Sequence, residues 1–389
     1  MRNILHCSFF VFSMLVVSCS PGEKQPEQAQ RDDPKDYRVV GYVAGYRDFD
    51  FSKILAKKLT HINYAFANVI DGRVMFDTAD IDHTSLKDDD LKALQKLKAV
   101  NPDLKILVSV GGWVWSGNFS DAALTAESRS RFAKSAADFV DKYGLDGIDI
   151  DWEYPNQVGA GNIHRVEDIE NFTLLMKATR EALSELEKQT QKGHYLLTIA
   201  TGADSAYVSN TKLGEVAEYL DFLNIMTYDF YNGLHKTTGH HANLYPSVNN
   251  PFRISDVLNS VKLHEDAGVP LEKITIGIPF YGRRWEGVSP GENSGLYQPA
   301  ESVGQIMFYR LIAEQCLNND SYSRLWDESA KAPYLWNADS GIFISYEDAE
   351  SIGYKIDYLK EKGLSGVMFW EYSDDDQGQL LDAVHEHLK

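Results

Sequence analysis

Eight short apolar runs rich in β-branched residues, set apart by longer amphipathic stretches, constrain the fold of this chain more than any other feature. The runs are Val39–Ala44, Thr60–Ala67, Lys105–Val110, Gly147–Trp152, Tyr195–Thr201, Phe222–Tyr228, Ile274–Pro279 and Gly366–Trp370. Between them lie segments with helical spacing: Ser85–Val100, Ala126–Tyr143, Val166–Gln189, Ile254–Ala267 and Tyr346–Lys362. Several of these end in Gly or near Pro, as helices do. Strand–helix alternation specifies an α/β fold with a parallel sheet, and eight units in roughly 350 residues point to a (β/α)8 TIM barrel. A doubly wound open sheet shares the apolar pattern, but no Gly-rich phosphate loop supports it. The rhythm breaks once, from Tyr281 to about Phe343, a stretch too long for a strand–helix connection. It carries Trp285, Tyr297, Phe308, Tyr309, Trp326, Tyr334 and Trp336, so it reads as a small inserted subdomain, about 284–343, between strands seven and eight.

The first 36 residues are of a different kind. Arg2 precedes an apolar run that ends near Val17, the layout of an export signal and shorter than the ~20 apolar residues of a membrane span. Val16-Val17-Ser18-Cys19 resembles a bacterial lipobox. That resemblance implies a signal peptide over 1–18, acylation of Cys19, and a lipid anchor to a membrane. Ser20 is not the Asp that marks inner-membrane retention in some bacteria, so the expected address is the outer membrane of the cell envelope. Residues 20–36 hold three prolines, many charges and no large apolar side chain, which makes 19–36 a flexible tether and 37–389 the folded part. Extended, the tether would reach roughly 60 Å. Of the three cysteines, Cys7, Cys19 and Cys316, two lie in this leader, so neither a disulfide scaffold nor a cysteine zinc site is expected. The net charge of −19 argues against a nucleic-acid partner, which needs clustered Lys and Arg.

The strongest chemical signal is Leu145-Asp146-Gly147-Ile148-Asp149-Ile150-Asp151-Trp152-Glu153-Tyr154-Pro155. Side chains alternate along a strand, so Asp149, Asp151 and Glu153 share one face and Ile148, Ile150 and Trp152 the other. In a barrel the apolar set packs beneath the helices and the acids point inward, with Glu153 at the carboxyl end where barrel active sites lie. Three such carboxylates cannot all remain ionised; at least one pKa must rise and a proton be shared. A solvated edge strand does not explain the flanking Ile, Ile and Trp. A calcium loop needs Gly at its sixth position, where Tyr154 stands. Asp146 has an odd offset, off the inward face, and reads as structural.

The string D-x-x-D-x-D-x-E, as Asp146, Asp149, Asp151 and Glu153, resembles the signature of glycoside hydrolase family 18, the chitinases. The likeness recurs in order along the chain: KILVSVGGW at Lys105–Trp113, IMTYD at Ile225–Asp229, IPFYGR at Ile278–Arg283 and GVMFWE at Gly366–Glu371. It implies a (β/α)8 barrel with an α+β insertion after the seventh strand. It also implies a retaining, substrate-assisted cleavage of β-1,4-linked N-acetylglucosamine polymers, chitin and chitooligosaccharides, without metal or other cofactor. Under that resemblance Glu153 is the acid and base, Asp151 orients the substrate's acetamido group, Asp149 shares a proton with Asp151, and Tyr228 donates to the acetamido oxygen. Asp229 binds sugar hydroxyls, Trp370 floors the cleft, and Tyr42 and Ser109 support Asp149. Gly111 and Gly112 allow a close backbone approach, and Trp113 stacks on a sugar, although Val114 stands where the family often has a small polar residue. Tyr42, Phe66, Tyr154, Met226, Thr227 and Arg283 complete the expected substrate-binding set, with Trp115 and Trp285 as weaker candidates. His240 and His241 have no acid or thiol at ligand spacing and read as loop residues. The chain is expected to work as a monomer. Two rival readings stay open: an endo-β-N-acetylglucosaminidase acting on N-glycans, and a glycan-binding surface lipoprotein without turnover.

Overall fold

The computed structural model describes residues 37–76, 88–252 and 255–389. The signal peptide, Cys19 and the tether lie outside the described residues, as do the first residues of the two helical segments expected from Ser85 and Ile254. In chain order the strands are β1 (Arg38–Ala44), β2 (His61–Ile70), β3 (Arg73–Met75), β4 (Lys105–Gly111), β5 (Gly147–Asp151), β6 (Leu196–Thr201) and β7 (Phe222–Ile225). They continue as β8 (Ile274–Pro279), β9 (Tyr281–Trp285), β10 (Gln305–Phe308), β11 (Ser323–Asp327), β12 (Ala332–Asn337), β13 (Ile342–Ser345) and β14 (Gly366–Trp370).

Among the described residues, eight of these strands run parallel in the order β1-β14-β8-β7-β6-β5-β4-β2, and pairing of β1 with β2 closes the cylinder. Arg38 lies opposite Gly366 on one side of β1, and Val40 opposite His61 on the other. The barrel expectation therefore holds, and closure excludes the open sheet. Helices Ala126–Tyr143, Asp168–Thr190, Val257–Asp266 and Ala349–Lys362 fall within two or three residues of the expected spans. The outward faces of the strands pack beneath them. Trp152 lies flat on Phe119 (5.4 Å between centroids, 14°) and edge-on to Phe172 (5.7 Å). A buried ring of this kind contributes roughly 2–3 kcal/mol.

Two details differ from expectation. The sixth barrel strand ends at Ile225, not Tyr228. The Thr227 N–H donates to the Ile225 carbonyl (2.8 Å) and the Tyr228 N–H to that of Met226 (2.7 Å), and these tight local bonds lift the chain out of the ladder. The short strand β3 folds back antiparallel on β2 through Asp71-Gly72, both at positive φ, a dipeptide that favours a hairpin.

The long break after the seventh barrel strand is a second sheet. Its five antiparallel strands run β10-β9-β13-β12-β11. Trp285, Tyr297, Tyr334, Trp336 and Phe343 form its core, joined by Tyr231 from the loop after β7. Tyr309 instead packs into the main core and Trp326 against Tyr354. Since β9 begins two residues after β8 ends, the barrel strand feeds the inserted sheet directly and sets that sheet at the barrel mouth.

Candidate active site

The register of the barrel builds the site around β5. Ser109 on β4 and Thr198 on β6 lie directly opposite Asp149, so all three side chains enter the barrel at one level. Asp149 is fully buried, and its carboxylate is well supplied with donors. Oδ2 accepts from the hydroxyls of Tyr42 and Ser109, each at 2.7 Å. Oδ1 accepts from Thr198 at 2.6 Å and from the Asn224 amide at 3.5 Å. Burial pushes this carboxyl up, and the donors pull it back.

One step toward the mouth, Asp151 is buried and its Oδ1 has no hydrogen-bond partner among the described residues. Burial raises its pKa well above the carboxylate range, and the charges of Glu153 and Asp149 add to the effect. Glu153, two residues beyond the strand, is pushed up to about 7, chiefly by burial; the Tyr154 hydroxyl opposes the rise and the Asp229 charge adds to it. The result is a graded column: a donor-rich acid at the bottom, an acid with an open acceptor in the middle, and an acid that exchanges its proton near neutrality at the top. The backbone of Glu153 is held by its N–H bond to the Ser116 hydroxyl (2.8 Å), which in turn points toward the carbonyls of Gly112 (2.9 Å) and Asp151 (3.1 Å).

The glycine pair makes this packing possible. A Cβ on Gly111 would sit 2.3 Å from the Asp151 carbonyl oxygen, and one on Gly112 would sit 2.6 Å from the Phe66 ring, both at positive φ. The peptide bonds Ala65–Phe66, Glu153–Tyr154 and Trp370–Glu371 are cis.

Around the acids, Trp370 stacks on Phe66 (5.5 Å, 19°) and leans on Tyr42 (5.7 Å). Phe66 and Tyr42 are themselves buried, so they stand behind the Trp370 face. Tyr228 and Met226 line the same cluster, and burial followed by the charges of Asp151 and Glu153 raises the Tyr228 phenol well above its ordinary value. Trp113 is half-exposed at the rim, edge-on to Tyr154 at 6.3 Å. Asp229 adopts a positive φ and is gripped by Arg283, Nε to Oδ1 at 2.8 Å and Nη2 to Oδ2 at 2.6 Å. Burial would raise its pKa, yet the facing His241 ring and the bonds from Arg283 hold it near 2. Asp146 lies apart from the cleft, accepting from the Ile106 N–H (2.7 Å) and pairing with Lys98 (2.6 Å).

Several expected assignments change. Thr227 is fully buried, and its hydroxyl donates to the Gly277 carbonyl and accepts from the Gly277 N–H, so it braces β8 and offers nothing to a ligand. Trp285 is a core residue of the inserted sheet. His240 and His241 do have acid partners, brought from distant segments: His240 Nε2 is 3.3 Å from Asp327, and His241 Nδ1 is 3.9 Å from Asp229. Among the described residues, no group of three His, Cys, Asp or Glu is placed to hold a metal ion, and no helix is long and apolar enough to cross a membrane.

This constellation matches a known family. The model for glycosyl hydrolases family 18 covers residues 38–375. The chain belongs to that family. Its relatives include Chitinase A1 of Niallia circulans, 40% identical over 94% of this chain and 60% of the relative, and Chitinase B of Serratia marcescens, 32% identical over 86% and 77%. This chain thus spans about three fifths of the length of Chitinase A1. Among solved structures, a family 18 N-acetylglucosaminidase from Paenibacillus barengoltzii is 45% identical, with a TM-score of 0.82 over 90% of this chain and all of that one. For this family 18 chain, Thr198, Asn224, Ser116 and His241 join the site without belonging to any motif. Thr198 and Asn224 were recoverable only from strand register, and Ser116 and His241 only from the path of their loops.

Proposed function

We propose that the chain is a chitinase that hydrolyses β-1,4 bonds between N-acetylglucosamine units with retention at the anomeric carbon. The observation that carries this reading is the acid column, in which Asp151 keeps an unpaired buried oxygen beneath a Glu153 poised near pH 7. A general acid works best with a pKa near the operating pH. Glu153 gives its proton to the glycosidic oxygen as the C1–O bond breaks toward the leaving sugar. The substrate's acetamido carbonyl oxygen attacks C1 and forms an oxazolinium ion. The free Oδ1 of Asp151 accepts the acetamido N–H and balances the positive charge, while the Tyr228 hydroxyl donates to the acetamido oxygen. Glu153, now a carboxylate, takes a proton from water as that water attacks C1 and reopens the ring. Asp149 shares the second proton of the column with Asp151. Trp370 carries the reacting sugar on its face, Trp113 stacks on a neighbouring one, and Asp229 binds sugar hydroxyls.

Glu153→Gln keeps the shape and removes the transferable proton. The purified parent should cleave N-acetylchitooligosaccharides to products that first appear as the β-anomer, and the folded variant should lose at least about a thousandfold in kcat. Inverted product, or a variant as active as its parent, would refute the mechanism. A second reading has its own support: the 45%-identical Paenibacillus enzyme is described as an N-acetylglucosaminidase and is matched over its whole length. Release of monomer alone from chain ends would favour it, release of internal oligomers the chitinase, and release of glycans from a glycoprotein the endo-β-N-acetylglucosaminidase.

The envelope address is part of the proposal. Cys19 would be acylated and hold the enzyme at the outer membrane through the tether. Palmitate labelling lost in Cys19→Ser supports this; unlabelled parent protein overturns it.

A further inference from the structure

We propose that His241 is a positioning residue of this site: an imidazole N–H holds the Asp229 carboxylate in the orientation that meets the sugar. The inference rests on the sugar contact proposed for Asp229.

His241 is fully buried, yet neither ring nitrogen has a hydrogen-bond partner among the described residues. A buried polar group left unpaired costs ~1–3 kcal/mol and calls for a role. Its Nδ1 stands 3.9 Å from Asp229 Oδ1, just beyond bonding distance, and the Asp229 side chain is 34% accessible at the barrel mouth. Arg283 grips that carboxylate from the inserted sheet, and His241 faces it from the loop after β7. A small rotation of the carboxylate, as a sugar hydroxyl engages it, closes the gap.

The imidazole cannot easily drift. Its own backbone N–H donates to Ser345 Oγ at 2.9 Å, and its carbonyl accepts from the N–H of Phe230, the residue after Asp229, at 3.1 Å. Its ring meets Tyr281 edge to face at 5.4 Å. The backbone therefore ties the histidine to the segment that carries the aspartate. The charged and titratable groups that face His241 are Asp229, Arg283 and Tyr281, with Lys355 behind, itself paired with the buried Glu347. Burial holds the imidazole at about 4, so near neutral pH it offers a donor without a second positive charge. Arg283 supplies the charge and His241 sets the plane.

The test is His241→Phe, which keeps the ring and its edge contact but removes both nitrogens, beside His241→Gln, which returns an N–H donor. Kinetics on an N-acetylchitooligosaccharide with the full chain should show KM raised about tenfold in H241F, the worth of one hydrogen bond to a charged group, and largely restored in H241Q. A merely structural role would lower the active fraction, and so kcat, and leave KM alone. Independently of turnover, ¹³C NMR of the Asp229 carboxylate should show its titration midpoint raised in H241F, because the polar imidazole edge that faces the ionised carboxylate is lost. An unchanged KM in folded H241F overturns the role in binding, and an unchanged midpoint overturns the claim that the imidazole acts on the Asp229 carboxylate. If the parent cleaves no chitooligosaccharide, the proposed function fails while the NMR comparison still decides on His241. Should H241F not fold, His241→Met makes the same two comparisons.

Discussion

Glu153→Gln should make the protein more stable at alkaline pH while abolishing turnover. The folded state holds the Glu153 proton to about pH 7, against an ordinary value of 4.5, and burial is the chief cause. At about 1.4 kcal/mol per pH unit, that difference is roughly 3 kcal/mol. The sign follows from proton counting. Between pH 4.5 and 7 the folded chain binds more protons at this position than the unfolded chain, so stability falls as pH rises, and the whole cost is present above 7. Below 4.5 both states are protonated and the cost vanishes. Glutamine has no such term. The melting temperature of the variant minus that of the parent should therefore widen by about 5 °C between pH 4 and pH 8. Asp151, relieved of the neighbouring charge that helps to raise it, adds to the gain in the same direction. Scanning calorimetry of both proteins at pH 4, 6 and 8 measures the difference directly. An equal difference at pH 4 and pH 8 would refute the claim that burial raises the acid, and with it the reason given for its catalytic pKa.

Four further outcomes follow from the geometry. Tyr154→Phe removes the hydroxyl that opposes the rise of Glu153, so the alkaline limb of kcat/KM should move up by as much as about one pH unit; a downward shift counts against the assignment. Gly111→Ala forces a Cβ to 2.3 Å from the Asp151 carbonyl at a positive φ, and should cost more than ~2 kcal/mol in thermal unfolding together with most of the activity. Arg283→Met strips Asp229 of its charge partner, so calorimetric affinity for an oligosaccharide should fall by about tenfold or more. Lys98→Met breaks the half-buried pair with Asp146 on the far side of β5; stability should change by less than ~1 kcal/mol and kcat should not move.

The acid column was legible in the sequence because it depends only on the period of a strand. Two residues per repeat put Asp149, Asp151 and Glu153 on one face and Ile148, Ile150 and Trp152 on the other, and both faces lie as that period requires. The barrel was legible for a similar reason, since apolar runs bounded by turns report strands wherever they pack. The end of the sixth barrel strand was not, because two local backbone bonds after Ile225 outweigh the β-branched pattern of the run. That departure also withdraws Thr227 from the cleft.

What tertiary structure alone decided is which groups far apart in the chain meet. Closure of the cylinder sets Tyr42 against Asp149 across 107 positions, and the inserted sheet delivers Arg283 to Asp229 across 54. No local spacing encodes such meetings, because they are set by register around a closed sheet and by where an insertion lands. Which of the acids rises, and how far, belongs to the same class. A carboxylate has an ordinary pKa in the sequence, and it becomes an acid of about 7 only when the fold removes water from around it.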